Sequence, residues 1–273
     1  MNDIILINKD LCTRCGICSL VCPLGIIDAA NERDLPKLEK GKEAVCISCG
    51  HCEVSCPSGA LSRAGSEPGG WEEITGTKEI SPATLSTYIK SRRSVRHYRK
   101  ELVDRETIAR ILDVARYAAT GGNRQPVEWL VIHDPSEVKE IAGLTVGWMR
   151  SLGGSGHPMA GYVSGLIAAW DHGVDVICRG APHLVIPHIP DSNPIAPTDA
   201  IIALTHVDIV APAFGVGTCW AGFVAGAARE YAPLQNALAL PDGRIPAYAM
   251  MLGYPEYKTY RIPGRKPLRV IWR

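Results

Sequence analysis

Eight of the ten cysteines in this chain fall before Pro57, and they do so in two copies of one pattern. Cys12, Cys15, Cys18 and Cys22, followed by Pro23, have the spacing C-x2-C-x2-C-x3-C-P, and Cys46, Cys49, Cys52 and Cys56, followed by Pro57, repeat it. Disulfides would suit a small secreted chain, but this one has 273 residues and its cysteines are crowded at one end, so metal is the better reading. Three thiolates spaced this closely can wrap around three corners of a cubane, while the fourth points away toward a second cluster. The spacing therefore predicts one [4Fe–4S] cluster on Cys12, Cys15, Cys18 and Cys56, and another on Cys46, Cys49, Cys52 and Cys22. A pair of structural zinc sites also uses closely spaced cysteines. The doubled run with both prolines is far more specific than isolated C-x2-C pairs.

These runs resemble those of bacterial two-cluster ferredoxins over about residues 3 to 65, with an insertion at Asp28 to Ala44. A segment this short cannot build a sufficient apolar core, so metal binding is expected to supply much of its folding energy. Such a module handles electrons one at a time. Cys178 and Cys219 stand outside the runs and are expected to be small buried thiols rather than ligands.

The chain is long enough for a small module plus one full-sized domain. Its formal net charge of +1 offers no global field for nucleic acid. Met1 to Lys9 does not read as a signal peptide, and no apolar run is long enough to span a bilayer, so a cytoplasmic protein without membrane attachment is expected. The composition divides the chain into a cluster domain at 1–65, a flexible linker at 66–80 and a second domain at 81–273.

Ser81-Pro82 reads as a helix start with Leu85 and Ile89 on one face, and Asp104 opens a second helix carrying Ile108, Ile111, Leu112 and Ala115. Strands are expected at Glu128–His133, His183–Ile189 and Ile245–Leu252, with an alanine-rich helix at Asp199–Gly215 interrupted by Pro212. Helices and strands that do not alternate regularly predict an α+β fold.

The densest charge is Lys90 to Lys100, where six cations surround Ser94. As composition alone this is a solvated helix end or a nucleic-acid patch. The order Ser91-Arg-Arg-Ser-Val-Arg-His-Tyr98 is more specific, because it resembles the opening motif of the nitroreductase family of FMN enzymes. Three later stretches are similar to that family in order: Gly122-Asn-Arg-Gln-Pro126, Gly215-Val-Gly-Thr-Cys-Trp-Ala-Gly222, and Leu252-Gly-Tyr-Pro255 followed by Gly264-Arg-Lys-Pro-Leu268. The resemblance implies a nitroreductase-like α+β sandwich.

It also implies that Arg92, Arg93, Ser94 and Arg96 contact FMN, with Arg92, Ser94 and Arg265 nearest its phosphate and Lys266 beside them. Arginine forks and a hydroxyl suit phosphate chemically. Asn123 and Gln125 would hydrogen-bond the flavin or its ribityl chain. Trp220, Ala221 and Gly222 would present backbone groups to the ring. The Gly215–Gly222 stretch is expected to be a glycine-rich loop. Family members are homodimers with FMN at the interface, and the tail Leu268–Arg273 is compatible with reaching a partner.

No stretch reads as G-x-G-x-x-G after a strand, so a dedicated dinucleotide site is not expected. The segment Gly143–Arg179, with Trp148, Met149, a turn at Gly153–Gly156, His157, Tyr162, Trp170 and His172, reads as a helix hairpin whose Met159, Tyr162, Val163, Leu166 and Trp170 form an amphipathic face. In the family this region shapes substrate access. His183, His188 and His206 read as structural histidines.

The expected activity is that of an FMN-dependent oxidoreductase whose two clusters relay single electrons between an external low-potential donor or acceptor and FMN. It would act on a small, aromatic or electron-poor substrate, with the chemistry on the flavin and no catalytic side chain identified. Substrate oxidation with electrons leaving through the clusters, or a redox-sensing flavoprotein without turnover, are the alternatives.

Overall fold

A computed structural model of the chain describes residues 4–28, 34–64, 74, 79–153 and 156–273. Apart from residues 74, 79 and 80, the linker expected at 66–80 lies outside the described residues, as do Gly154 and Ser155 of the expected glycine turn. Two units emerge: Met1–Glu79 with Gly122–Arg124, and Ile80–Gly121 with Gln125–Arg273.

The first unit repeats itself at the level of backbone. Its elements are β1 (Ile5–Ile7), α1 (Ile17–Leu20), β2 (Ile27–Asp28), β3 (Lys37–Leu38), α2 (His51–Val54) and β4 (Leu61–Arg63). β1 pairs antiparallel with β4, and β2 with β3. Each cysteine run bends sharply before its short helix: Gly16 and Gly50 both cap it at positive φ (75° and 77°), where a side chain would be strained. Among the described residues of this unit, Ile5, Cys18, Ile26, Ile27 and Leu61 form the buried apolar cluster. That is little core for a domain, as expected of one that leans on its metal.

The second unit begins with α3 (Pro82–Ser91), capped by the Ser81 hydroxyl, which accepts from the Thr84 N–H at 3.1 Å. Next comes α4 (Arg105–Ala115), where Asp104 Oδ1 accepts from the Thr107 N–H at 2.7 Å. Both starts match the sequence signals, since an oxygen at the N-cap satisfies an orphan N–H. The following elements are β5 (Glu128–Ile132), α5 (Pro135–Ser151), α6 (Val163–Asp171), β6 (His183–Pro190), α7 (Ala196–Val210), β7 (Gly217–Trp220), α8 (Gly222–Glu230), α9 (Ala232–Leu238), β8 (Arg244–Pro246) and β9 (Met250–Gly253).

The sheet runs β5-β6-β9-β7, with every pair antiparallel and β8 added to β6. Helices cover both faces. Leu184 and Ile186 of β6 point into a core shared with α5, α8 and α9, while Val185 points into one shared with α4 and α7. That alternation is the strand period of two, and it gives an α+β sandwich.

Three sequence expectations are corrected. The strand expected at Ile245–Leu252 is two strands: β8 pairs with the end of β6 and β9 with its start, joined by an Ala247 N–H bond to the Pro187 carbonyl. The helix expected at 199–215 starts at Ala196 and ends at Val210, and Ala211–Phe214 tightens into a 3-10 turn around Pro212, whose missing N–H cannot continue an α-helix. In the Gly143–Arg179 segment, Trp148 and Met149 are buried core, α6 covers only Val163–Asp171, and Tyr162 faces outward.

Two histidines join α4's entry to the sheet. His183, fully buried, accepts the Val103 N–H on Nε2 (3.0 Å) and bonds the His133 carbonyl through Nδ1 (3.0 Å), while His133 stacks on it at 4.3 Å. Burial, with His133 adding to it, pushes the His183 pKa from 6.5 down to about 4. An unfolded chain takes up that proton near 6.5, so between there and about 4 it binds more protons than the folded chain. Stability should fall as pH drops through this window, by roughly 3 kcal/mol in total at about 1.36 kcal/mol per unit. Denaturant titrations followed by tryptophan fluorescence should show that His183→Gln loses this component between pH 7.5 and 4, relative to the native chain.

Candidate functional site

In the first unit the eight cysteines line two cavities. One is lined by Cys22, Cys46, Cys49 and Cys52, with Arg63 beside them. The other is lined by Cys12, Cys15, Cys18 and Cys56. Each cavity thus takes three cysteines from one run and the last from the other. Among the described residues no three His, Cys, Asp or Glu side chains stand as a single metal ion would require. Two sets of four thiols, each mixing the two runs, match the ligand pattern of paired cubane clusters better than that of separate zinc sites.

The thiols differ in how ready they are to ionise. Burial raises Cys18, and burial with the neighbouring Cys49 raises Cys52 to about 11. At Cys56 burial acts in the same direction, but the Ser58 hydroxyl and backbone N–H groups outweigh it and hold the thiol below its usual range. The Ser58 Oγ lies 3.7 Å from the Cys56 sulfur.

In the second unit the basic motif lies along the open edge of β7. Ser94 pairs with Thr218 in a single parallel bridge, the Val95 N–H donates to the Thr218 carbonyl (2.8 Å), and Tyr98 pairs with Pro255. Glycine is required here: a Cβ on Gly217 would stand 2.5 Å from Val95 Cγ2. The stretch read as a glycine-rich loop is therefore largely a strand, because Gly217–Trp220 pairs with β9 on one side and receives the motif on the other.

An open cavity of about 410 Å³ at the start of β7 gathers Arg92, Arg93, Arg99 and Lys258 around Ser91, Thr218 and Thr259. Among the described residues, Arg93 Nε is buried without a hydrogen-bond partner. Four cations and an orphaned guanidinium donor are the chemistry of an anion seat, and a phosphate fits it. Arg92 is held by Asp208, with 3.4 Å between Nη1 and Oδ2. Asp208 in turn accepts from the Thr218 hydroxyl (2.5 Å) and Trp220 Nε1 (3.1 Å). Sequence reading missed Asp208, Arg99 and Lys258. Asp208 sits in the last turn of α7 between Val207 and Ile209, where only the tertiary fold reveals its partners.

Other expected residues fall elsewhere. Arg96 is exposed beside Cys219, whose thiol is raised by burial despite that charge. Trp220 turns its ring to Asp208 and packs edge-on against Tyr248 at 5.1 Å. The Ala221 N–H donates to the Ala249 carbonyl (2.9 Å), so it is not available to a ring. The donors that remain at this end of β7 belong to the first turn of α8, starting at exposed Gly222, close to the Tyr248 hydroxyl.

Gln125 is exposed just before β5, on the opposite sheet edge from β7, and lines a cavity with Arg116, Thr120 and Trp129. Asn123 groups with the first unit, where its Nδ2 donates to the carbonyls of Ile47 (3.1 Å) and Ser48 (3.0 Å). Arg265 and Lys266 lie in an exposed tail without regular structure. Cys178 and Cys219 are buried in the apolar core.

Comparison with known proteins adds two family matches. The model described as "Nitroreductase family" matches residues 89–254, and that described as "4Fe-4S dicluster domain" matches residues 11–61. A protein of Archaeoglobus fulgidus provisionally named NADH dehydrogenase/NAD(P)H nitroreductase is 27% identical over 169 residues, covering 62% of this chain and 83% of its own. A nitroreductase with bound FMN from Bacteroides fragilis superimposes with a TM-score of 0.52 at 18% identity, covering 68% of this chain and 98% of its own. A variant of the FMN and NADPH-dependent nitroreductase NfnB from sphigopyxis sp. strain HMH gives 0.53 at 22% identity, covering 68% and 95%. Both structures share the fold.

Proposed function

Because the chain belongs to the nitroreductase family and carries a 4Fe-4S dicluster domain, we propose that it is an FMN-dependent oxidoreductase whose two [4Fe–4S] clusters pass single electrons to or from FMN. The reading places it in the cytoplasm, with an external low-potential donor or acceptor and a small, aromatic or electron-poor substrate. One observation carries it: two complete four-cysteine cavities stand on the same chain as a nitroreductase domain with a four-cation cavity.

Bound FMN would supply the two-electron chemistry and the clusters one-electron transfer. The protein's part is to hold and orient. Arg92, Arg93, Arg99 and Lys258 would seat the phosphate, Asp208 keeps Arg92 in place, and the first turn of α8 offers N–H donors where β7 ends. No helix among the described residues is long and apolar enough to cross a membrane.

A homodimer with FMN at its interface is part of this reading. Gln125 and the Arg92–Arg96 motif lie at opposite edges of the sheet with β6 and β9 between them, so one chain does not bring them to one ligand. In this reading the second edge comes from a partner copy. The apolar tail, with Leu268, Ile271 and Trp272 each at least 85% exposed, is available to cover a partner.

Anaerobically purified protein should show flavin absorbance at one FMN per chain and about eight irons per chain, the number two cubanes require. Absence of flavin, or an iron content well below that, would overturn the reading.

A further inference from the structure

The first unit is a near-repeat displaced by 34 positions, Cys12 onto Cys46 and Cys22 onto Cys56. Backbone follows the same displacement: Arg14 and Ser48 share positive φ (58° and 52°), as do Gly25 and Gly59 (59° and 62°). Two chemically matched cluster sites would follow if the side chains repeated as well. Side chains repeat only in part, and two of the differences form a charged pair. Position 53 is Glu where its counterpart is Ser19, and position 63 is Arg where its counterpart is Ala29.

Glu53 and Arg63 form a built pair. Arg63 Nε lies 2.9 Å from Glu53 Oε2, the Arg63 N–H donates to Oε1 (3.3 Å), and Arg63 Nη1 donates to the Ser48 carbonyl (2.7 Å). The Glu53 side chain is 6% exposed and that of Arg63 32%. Arg63 lines the cavity of Cys22, Cys46, Cys49 and Cys52, and Glu53 is not among the residues lining it. Ser19 instead donates its hydroxyl to the Ile27 carbonyl (2.7 Å) and brings no charge.

We propose that this pair makes the two cluster sites electrostatically unequal, with Arg63 raising the reduction potential of the cluster held by Cys22, Cys46, Cys49 and Cys52. The proposal rests on the cluster reading above. Reduction adds one negative charge to a cluster, and a half-buried cation on the cavity wall stabilises that charge. Arg14 lines the other cavity but is exposed, where water and salt screen it. Arg63 is a positioning residue: it acts on potential and on the shape of the Ser48–Cys52 loop, and it touches no substrate.

Redox titration of the intact chain, followed by electron paramagnetic resonance, tests this. The affected cluster is assigned in the Cys15→Ser background, in which that cluster alone should remain. Arg63→Gln should lower its midpoint by at least tenfold in the reduced-to-oxidised ratio, about 59 mV for one electron. Glu53→Gln should raise the same midpoint, and Arg63→Lys should stay near the native value. The other cluster should move much less. Opposite signs are the decisive result, because a purely structural role would shift both variants the same way.

Shifts of one sign, equal shifts in both clusters, or no shift would overturn the proposal. If Arg63→Gln loses iron, the sign for Glu53→Gln decides alone. Native protein with far fewer than about eight irons would instead overturn the cluster reading, and the proposal with it.

Discussion

Cys22→Ser combined with Cys49→Ser should leave about four irons per chain, whereas Cys22→Ser combined with Cys15→Ser should leave almost none. The reason is the membership of the two cavities. Cys22 and Cys49 line the same one, so both substitutions damage a single cluster site and spare the set Cys12, Cys15, Cys18 and Cys56. Cys22 and Cys15 belong to the same sequence run but to different cavities, so that pair damages both. If each run held its own cluster, the two results would exchange places. Iron and sulfide analysis of both double variants therefore separates crossed from uncrossed ligation without any activity measurement. Because the unit has only a small apolar cluster, the variant that loses both sites should also lose most of its folded signal for this domain.

Arg92→Ala should weaken FMN binding about a hundredfold, close to 2.7 kcal/mol, measured by fluorescence titration of flavin-stripped protein. Arg92 lines the four-cation cavity and is held by Asp208, which keeps two further donors, Thr218 and Trp220, after the arginine is gone. The buried carboxylate is thus not stranded without hydrogen bonds, and the fold should survive the change. Arg92→Lys keeps the charge but loses the forked geometry, so its loss should be smaller. Asp208→Asn should weaken binding without touching the ligand, because it releases the guanidinium from its anchor. Unchanged affinity in Arg92→Ala would place the phosphate elsewhere and remove the four-cation cavity from the proposed site.

How much of this was legible in sequence depends on whether the signal is local. The N-caps at Ser81 and Asp104 were readable because a cap is a contact three residues long. The motif at Ser91–Tyr98 was readable as a pattern, but its neighbour Gly217–Trp220 was taken for a loop. Four residues, one a glycine, carry too little alternation to announce a strand, and Gly217 is there because Val95 approaches it. Ala221 was expected to offer its N–H, yet the register with Ala249 consumes it, and register is set by strands far apart in the chain.

Sequence by itself determined the number of cysteine sets, the cations of the basic motif and the α+β class, because spacing, charge and hydrophobic period are properties of neighbouring residues. Only the tertiary structure decided that Asp208 anchors Arg92, that Arg99 and Lys258 join the anion seat, and that Arg63 stands at one cluster site and not the other. Each of these is a contact between residues distant in sequence, and such contacts exist only after the strands have paired and the helices have packed on them.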